Sequence, residues 1–255
     1  DGTQDEFIAE CTAMVKAHRE KQRRKPLEIN LISRGRQGLE LRNLEVKRTK
    51  LEIGLFYNDD FGEVNEVITQ RLNNDKDKGI VLLHGLPGTG KTTYLRYLIG
   101  KIKKRVLFVS PNTAGDITSP DFIQLLVGNP NSVLIIEDAE NVIMDRKLNN
   151  SGSVSNLLNI SDGLLADFLN VQLICTFNSP LTLVDQALMR KGRLIAKYEF
   201  GKLSTEKAGK LSRHLGFDTR IDHPMTLAEI SNPGAKEYKA EHTEVLGFMR
   251  KEALM

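Results

Sequence analysis

Apolar and polar positions change rhythm along this chain, and each change predicts a different kind of element. Residues 5–25 carry helix formers until Pro26 ends the pattern. LEINLIS (27–33) and GLELRNLEV (38–46) then alternate apolar and polar residues on either side of Gly35 and Gly38, the pattern of a β-hairpin. VNEVITQRL (64–72) returns to helical spacing and runs into the polar turn NNDKDKG (73–79). Beyond that turn, short continuous apolar runs take turns with helical stretches. GIVLLH (79–84), RVLFVS (105–110), SVLIIED (132–138), VQLICTF (171–177) and IAKYEF (195–200) predict five strands. TTYLRYLIGKI follows the first strand and SPDFIQLLVG the second, the latter with Ser119 as N-cap and Pro120 at the first helical position.

Strands this rich in Val, Ile and Leu, separated by helices, predict an α/β fold with a five-stranded, mostly parallel sheet covered on both faces. LVDQALMRKGRL (183–194) reads as a helix with a basic end, and NNSGSVSN (149–156) as a loop. From Lys202 no convincing strand follows; LSTEKAGKLSRHL and the stretch 225–254 predict a small helical subdomain. The expected organisation is an N-terminal helix and hairpin (1–53), an α/β domain (54–200) and the helical unit (201–255).

Composition narrows the class. With 255 residues, 40% apolar and 27% charged, the chain can bury a sizeable core, and no apolar run approaches the roughly 20 residues that cross a bilayer. The opening DGTQDEF has neither an initiator Met nor a signal-peptide pattern and reads as part of a longer chain. Two cysteines, Cys11 and Cys175, are too few for a disulfide framework; a reducing, cytoplasmic interior is the expectation. The net charge of +3 says little about nucleic acid, and the basic run KAHREKQRRK (16–25) has the ordinary reading of a solvated helix face.

The candidate chemistry lies in the loops after the strands. HGLPGTGKTT (84–93) fits G-x-x-x-x-G-K-[ST] through Gly85, Gly90, Lys91 and Thr92, between a buried strand and a helix. Gly85, Gly88 and Gly90 let the backbone turn its N–H groups inward around an anion, and the helix adds its positive end. The expected phosphate contacts are Gly85, Pro87, Gly88, Thr89, Gly90, Lys91, Thr92 and Thr93, with the Thr92 hydroxyl on Mg²⁺. In VLIIEDAE, Glu137 and Asp138 end a buried run, 47 positions after Lys91 for the second of them. One carboxylate can hold Mg²⁺ through water while the other takes a proton from an attacking water. Asn178 would face the terminal phosphate if its strand lies between those of the loop and the acids. Arg190 and Arg193 follow Asn178 by 12 and 15 residues. Too far along the fold for their own nucleotide, they would reach the phosphates of a neighbouring subunit.

Four signatures in this order resemble the AAA family of ring-forming ATPases over roughly residues 54–200. HGLPGTGKTT is similar to its Walker A loop, VLIIEDAE to its Walker B strand, TFNSP to sensor 1, and VDQALMRKGR to its arginine-finger segment. The acid order Glu-Asp and the segment SNLLNISDGL (155–164) look most like the mitochondrial Rieske-protein assembly (Bcs-type) members. The resemblance implies ATP and Mg²⁺ as cofactors, a homo-oligomeric ring and a protein substrate. It puts Glu137 at the Mg²⁺-associated position and Asp138 at the water-polarising one, although the swapped order leaves open which acid does which. Two features depart from the family. PNTAGDITSPDF lacks the aromatic residue that peptide-threading members carry there, and for the second sensor GAKEYK (234–239) is the nearest candidate. A nucleic-acid-associated ATPase such as a helicase loader is the alternative function, with 16–25 as its contact; a nucleotide-gated scaffold that scarcely turns ATP over is a third. A GTPase would need N-K-x-D, which is absent, and DDFG (59–62) reads as a turn.

Overall fold

A computed structural model of the chain describes residues 2–18, 26–36, 38–144, 152–217 and 220–234. Seven strands form one sheet: β1 (Leu27–Gly35), β2 (Gly38–Val46), β3 (Gly79–Gly85), β4 (Val106–Val109), β5 (Val133–Ile136), β6 (Gln172–Phe177) and β7 (Leu194–Phe200). Their spatial order is β2-β1-β4-β5-β6-β3-β7. The five strands expected from the apolar runs are the contiguous parallel part, β4-β5-β6-β3-β7. The hairpin supplies the other two. β1 pairs antiparallel with β2 and parallel with β4, through Asn30–Ile32 opposite Leu107–Val109. The sheet therefore has seven strands rather than five, because the hairpin had no partner visible in the sequence.

The helices are α1 (Gly2–His18), α2 (Ile53–Phe56), α3 (Phe61–Asn73), α4 (Lys91–Ile99), α5 (Pro120–Val127), α6 (Glu140–Ile143), α7 (Ser153–Asp162), α8 (Leu164–Leu169), α9 (Thr205–His214) and α10 (Leu227–Ser231). Ser119 caps α5 as its sequence predicts, accepting the Phe122 N–H at 3.3 Å, with Pro120 next in line. Ser153–Asn156, expected in a loop, begin α7 instead: Val154, Leu157 and Ile160 are buried on one side of it and repay the helix. The segment 183–194 is not a helix. It makes a short 3₁₀ turn, Gln186–Met189, whose N-cap Asp185 accepts the Ala187 N–H, and then a tight turn at Gly192 (φ 93°). The basic run is described only through its start in α1, and 235–239 of the second-sensor candidate lie outside the described residues.

Two apolar layers sandwich the sheet, and the alternation of strand side chains deals residues to each. Ile80 and Leu82 of β3 join Leu134, Ile136, Leu173 and Cys175 on one face. Val81 and Leu83 join Ile135 and Ile174 on the other, under Tyr94, Leu95 and Leu98 of α4. On this second face Tyr57, Phe61, Tyr94, Tyr198 and Phe200 pack edge-on or tilted, with ring centroids 4.5–6.0 Å apart. That aromatic block lies directly behind the glycine loop.

Candidate nucleotide site

The site grows from the C-terminal ends of three adjacent parallel strands. β6 lies between β3 and β5, the arrangement that Asn178 requires. At the end of β3 the chain leaves Gly85 at φ 135° and passes Gly88 at 79° and Gly90 at 93°, angles that side-chain-bearing residues rarely adopt. A Cβ on Gly85 would collide with the Phe200 carbonyl of β7. α4 then begins at Lys91 with Gly90 as its N-cap and no side chain capping it, so its first N–H groups remain available to an anion. The Tyr57 hydroxyl donates to the Gly90 carbonyl at 3.0 Å, and the Thr89 hydroxyl to the Leu86 carbonyl at 2.7 Å. These bonds hold the loop's bend from behind.

Lys91 is buried, with its ammonium donating to the carbonyls of Gly85 (2.7 Å) and Leu86 (2.9 Å). Burial pushes its pKa below the usual lysine value, while the carboxylates of Asp138 and Glu140 pull the other way. A cation held in place by carbonyls and faced by acids can swing to a phosphate without leaving a polar surrounding.

A cleft of about 390 Å³ opens over this loop. Its walls include Pro87, Gly88, Gly90, Lys91, Thr92, Thr93, Asp138 and Asn178, so most of the expected set converges on one space. Gly85 and Thr89 shape the loop from below without lining the cleft. Glu137 also stays off the wall, half-buried beside exposed Asp138. β5 stops at Ile136, and Asp138 takes a left-handed turn at φ 49° that presents its carboxylate to the cleft. The next N–H, of Ala139, donates to the Thr176 carbonyl at 2.9 Å, and the Glu140 carboxylate accepts the Asn178 N–H at 2.7 Å. The acidic turn and the end of β6 are thereby laced together.

Sequence reasoning missed three contributors. Glu140 ties Asn178 down, Thr176 lines the cleft, and Leu227, Ala228, Ser231 and Asn232 of the α10 region form its far wall. The Ala228 N–H donates to the Gly88 carbonyl at 2.9 Å, joining α10 to the loop by backbone. A capping box starts α10: the Thr226 hydroxyl accepts the Glu229 N–H, and the Glu229 carboxylate accepts the Thr226 N–H. T-x-x-E was readable as a helix start; its contact with a loop nearly 140 residues earlier was not.

Arg190 and Arg193 are not part of this cleft. The Arg193 carbonyl accepts the Ile80 N–H at 2.8 Å, at the start of β3. A strand rising about 3.3 Å per residue puts that point on the order of 20 Å from Gly85. Arg193 is engaged within the chain, donating to Asp162 (2.6 Å) and to the Ala187 carbonyl (2.9 Å), whereas the Arg190 side chain is exposed.

The donor set suits magnesium, a hard cation that takes one or two protein oxygens and completes its shell with phosphate and water. Thr92 and Asp138 put such oxygens into the cleft, and Glu137 lies next to it. No group of three or more His, Cys, Asp and Glu among the described residues could hold a metal alone, so the phosphates would complete the magnesium shell.

Residues 81–202 match the profile of the family described as "ATPase family associated with various cellular activities (AAA)". Among curated proteins, the chain is similar to the "Probable mitochondrial chaperone BCS1-A" of Dictyostelium discoideum, 25% identical over 182 residues. That alignment covers 67% of this chain and 42% of the relative. It is 31% identical over 140 residues to the "Probable mitochondrial chaperone bcs1" of Schizosaccharomyces pombe, across 51% of this chain and 30% of the relative. A "26S proteasome regulatory subunit 6B homolog" of Saccharomyces cerevisiae is 28% identical over 204 residues, 75% of this chain and 44% of the relative. The chain thus spans less than half the length of each of these relatives. The family match takes in the glycine loop, the acidic turn and Asn178 but covers a little under half of this chain, and over that stretch the chain is similar to the AAA family of ATPases.

Proposed function

We propose that the protein hydrolyses ATP to ADP and phosphate with Mg²⁺, at interfaces between its own copies in a ring, and uses the cycle to remodel or move a protein substrate. The observation that carries this reading is the convergence of Lys91, Thr92, Asp138 and Asn178 on one cleft over a glycine loop. In it, loop N–H groups and Lys91 would bind the terminal phosphates, and Asp138 would take the proton of the attacking water. Asn178 would orient that water and the terminal phosphate. Bound Mg²⁺, held by Thr92 and Glu137, would supply charge neutralisation on the phosphate oxygens.

One further observation favours a ring and another a protein substrate. Arg190 is exposed at the sheet edge opposite the cleft, out of reach of its own nucleotide. The relatives named above include chaperones and a proteasome regulatory subunit, whose names point to protein substrates. In the assembled state the arginines of one subunit would stabilise transition-state charge in the next, and phosphate loss would move the neighbour.

Lys91→Ala tests the centre of the proposal. It should reduce ATP affinity at least about a hundredfold, since a charge-assisted contact to phosphate is worth ~3 kcal/mol when buried. Titration calorimetry of the full-length protein showing unchanged affinity would remove the loop assignment.

A further inference from the structure

We propose that the Thr176 hydroxyl is an additional catalytic contact, which holds the attacking water between Asp138 and Asn178. The inference rests on the hydrolase reading above and deepens it. Thr176 is only 3% exposed, yet it lines the cleft. No hydrogen bond ties its hydroxyl to another described residue. Its oxygen is not among the buried side-chain atoms that lack a partner, so in this buried residue the hydroxyl is the part that opens onto the cleft and can meet a ligand or water there.

Placement says which part of the nucleotide it would meet. Thr176 is the last residue but one of β6 and Asn178 is the first beyond the strand's end, and both line the cleft. Thr176 stands in register with Leu83, two residues before the loop begins, and its carbonyl is bonded to Ala139, the neighbour of Asp138. Its hydroxyl thus occupies the corner shared by the loop strand, the acidic turn and the sensor asparagine. That corner belongs to the reacting end of a triphosphate seated on Lys91 and Thr92. In the step, the water oxygen bonds to the terminal phosphorus, the bridging P–O bond breaks to release ADP, and the water proton passes to the Asp138 carboxylate. The hydroxyl stays a hydroxyl throughout: it accepts a hydrogen bond from the water's second O–H, which points a lone pair of the water oxygen at phosphorus. A threonine chosen only for strand propensity would be replaceable by valine, which has the same shape and the same preference for strands.

The test compares Thr176→Val with Thr176→Ser in the full-length protein, measuring ATP turnover, ATP affinity and the unfolding midpoint. Thr176→Val should lower kcat at least about tenfold with affinity kept within about twofold, and Thr176→Ser should keep most of the activity. Wild-type turnover in the valine variant overturns the proposal. So does an equal loss in both variants, which would report packing, or a loss confined to affinity. If the unsubstituted protein itself shows no turnover, the hydrolase reading falls and takes this inference with it; that outcome is separated from the others because it needs no variant.

Discussion

The Glu140 carboxylate accepts the backbone N–H of Asn178 at 2.7 Å, joining the first residue of α6 to the residue just beyond the middle strand of the site. An asparagine beyond a strand end is ordinarily a turn residue with several orientations available. Here the Glu140 carboxyl group fixes the backbone at Asn178 beside the cleft wall.

Glu140→Ala should therefore lower kcat by roughly tenfold while leaving ATP affinity within about threefold, because it loosens a positioned group and touches no phosphate contact. Glu140→Gln keeps an acceptor oxygen and should retain more activity than the alanine variant. Steady-state kinetics on both variants checks this; equal losses in the two would mean that charge near Lys91, rather than position, is what matters.

Gly90 and Gly192 share φ 93° but differ in surroundings. A Cβ on Gly90 would collide with Leu227 of α10 and come within 3.2 Å of the Tyr57 ring, whereas nothing lies within 4 Å of one on Gly192. Gly192→Ala should cost only the left-handed strain of about 1–2 kcal/mol. Gly90→Ala should cost at least about 1 kcal/mol more and should also weaken ATP binding, since the Leu227 side chain must be pushed aside at the cleft wall. Chemical denaturation of the two variants gives the difference directly.

The two arginines should separate by stability. Arg193→Ala leaves the Asp162 carboxylate and the Ala187 carbonyl without their donor, and should lower the unfolding free energy by about 1–2 kcal/mol as well as reduce turnover of the assembled protein. Arg190→Ala removes an exposed side chain and should leave stability within about 0.5 kcal/mol while reducing assembled turnover. Thermal unfolding set beside turnover, with subunits mixed and unmixed, distinguishes them.

His84 sits beneath the loop, buried and stacked on Phe177 with centroids 5.4 Å apart. Burial lowers its pKa below the ordinary 6.5, helped by Lys91 and Lys197 and opposed by Glu199. With the folded pKa depressed, the unfolded chain binds the proton more readily. The contribution of this residue to stability is thus whole above about pH 6.5 and is lost as pH falls through the folded value. Denaturation at about pH 7.5 and about pH 5 should show a smaller acid-side loss in His84→Phe, which keeps the stack and removes the titration.

Much of the site could be read from order along the chain because its parts are local. A glycine loop between a strand and a helix needs only consecutive residues to form, and HGLPGTGKTT declares both its bend and its cation. VLIIEDAE and TFN likewise announce a buried strand followed by a polar residue at the sheet edge. The apolar runs also specified the five parallel strands, since continuous Val, Ile and Leu can satisfy neither a surface strand nor a helix with one wet face. By contrast, LVDQALMRKGRL has helical composition but turns twice, because the Asp185 cap and Gly192 bend its backbone before it enters β7.

What the chain order could not contain is adjacency between distant residues. Only folding brings Ala228 to Gly88, Glu140 to Asn178, and the 27–46 hairpin to the open edge of β4. Hydrogen bonds of this kind depend on where backbones meet in space, and the same Glu or Thr would be an ordinary surface residue elsewhere. Composition and periodicity therefore determined the hairpin, the five parallel strands and the chemistry at their ends, though not α7 or the turns of 183–194. Tertiary packing alone decided which acid faces the cleft, which arginine is engaged, and which segment closes the far wall, because those are questions of distance rather than of residue type.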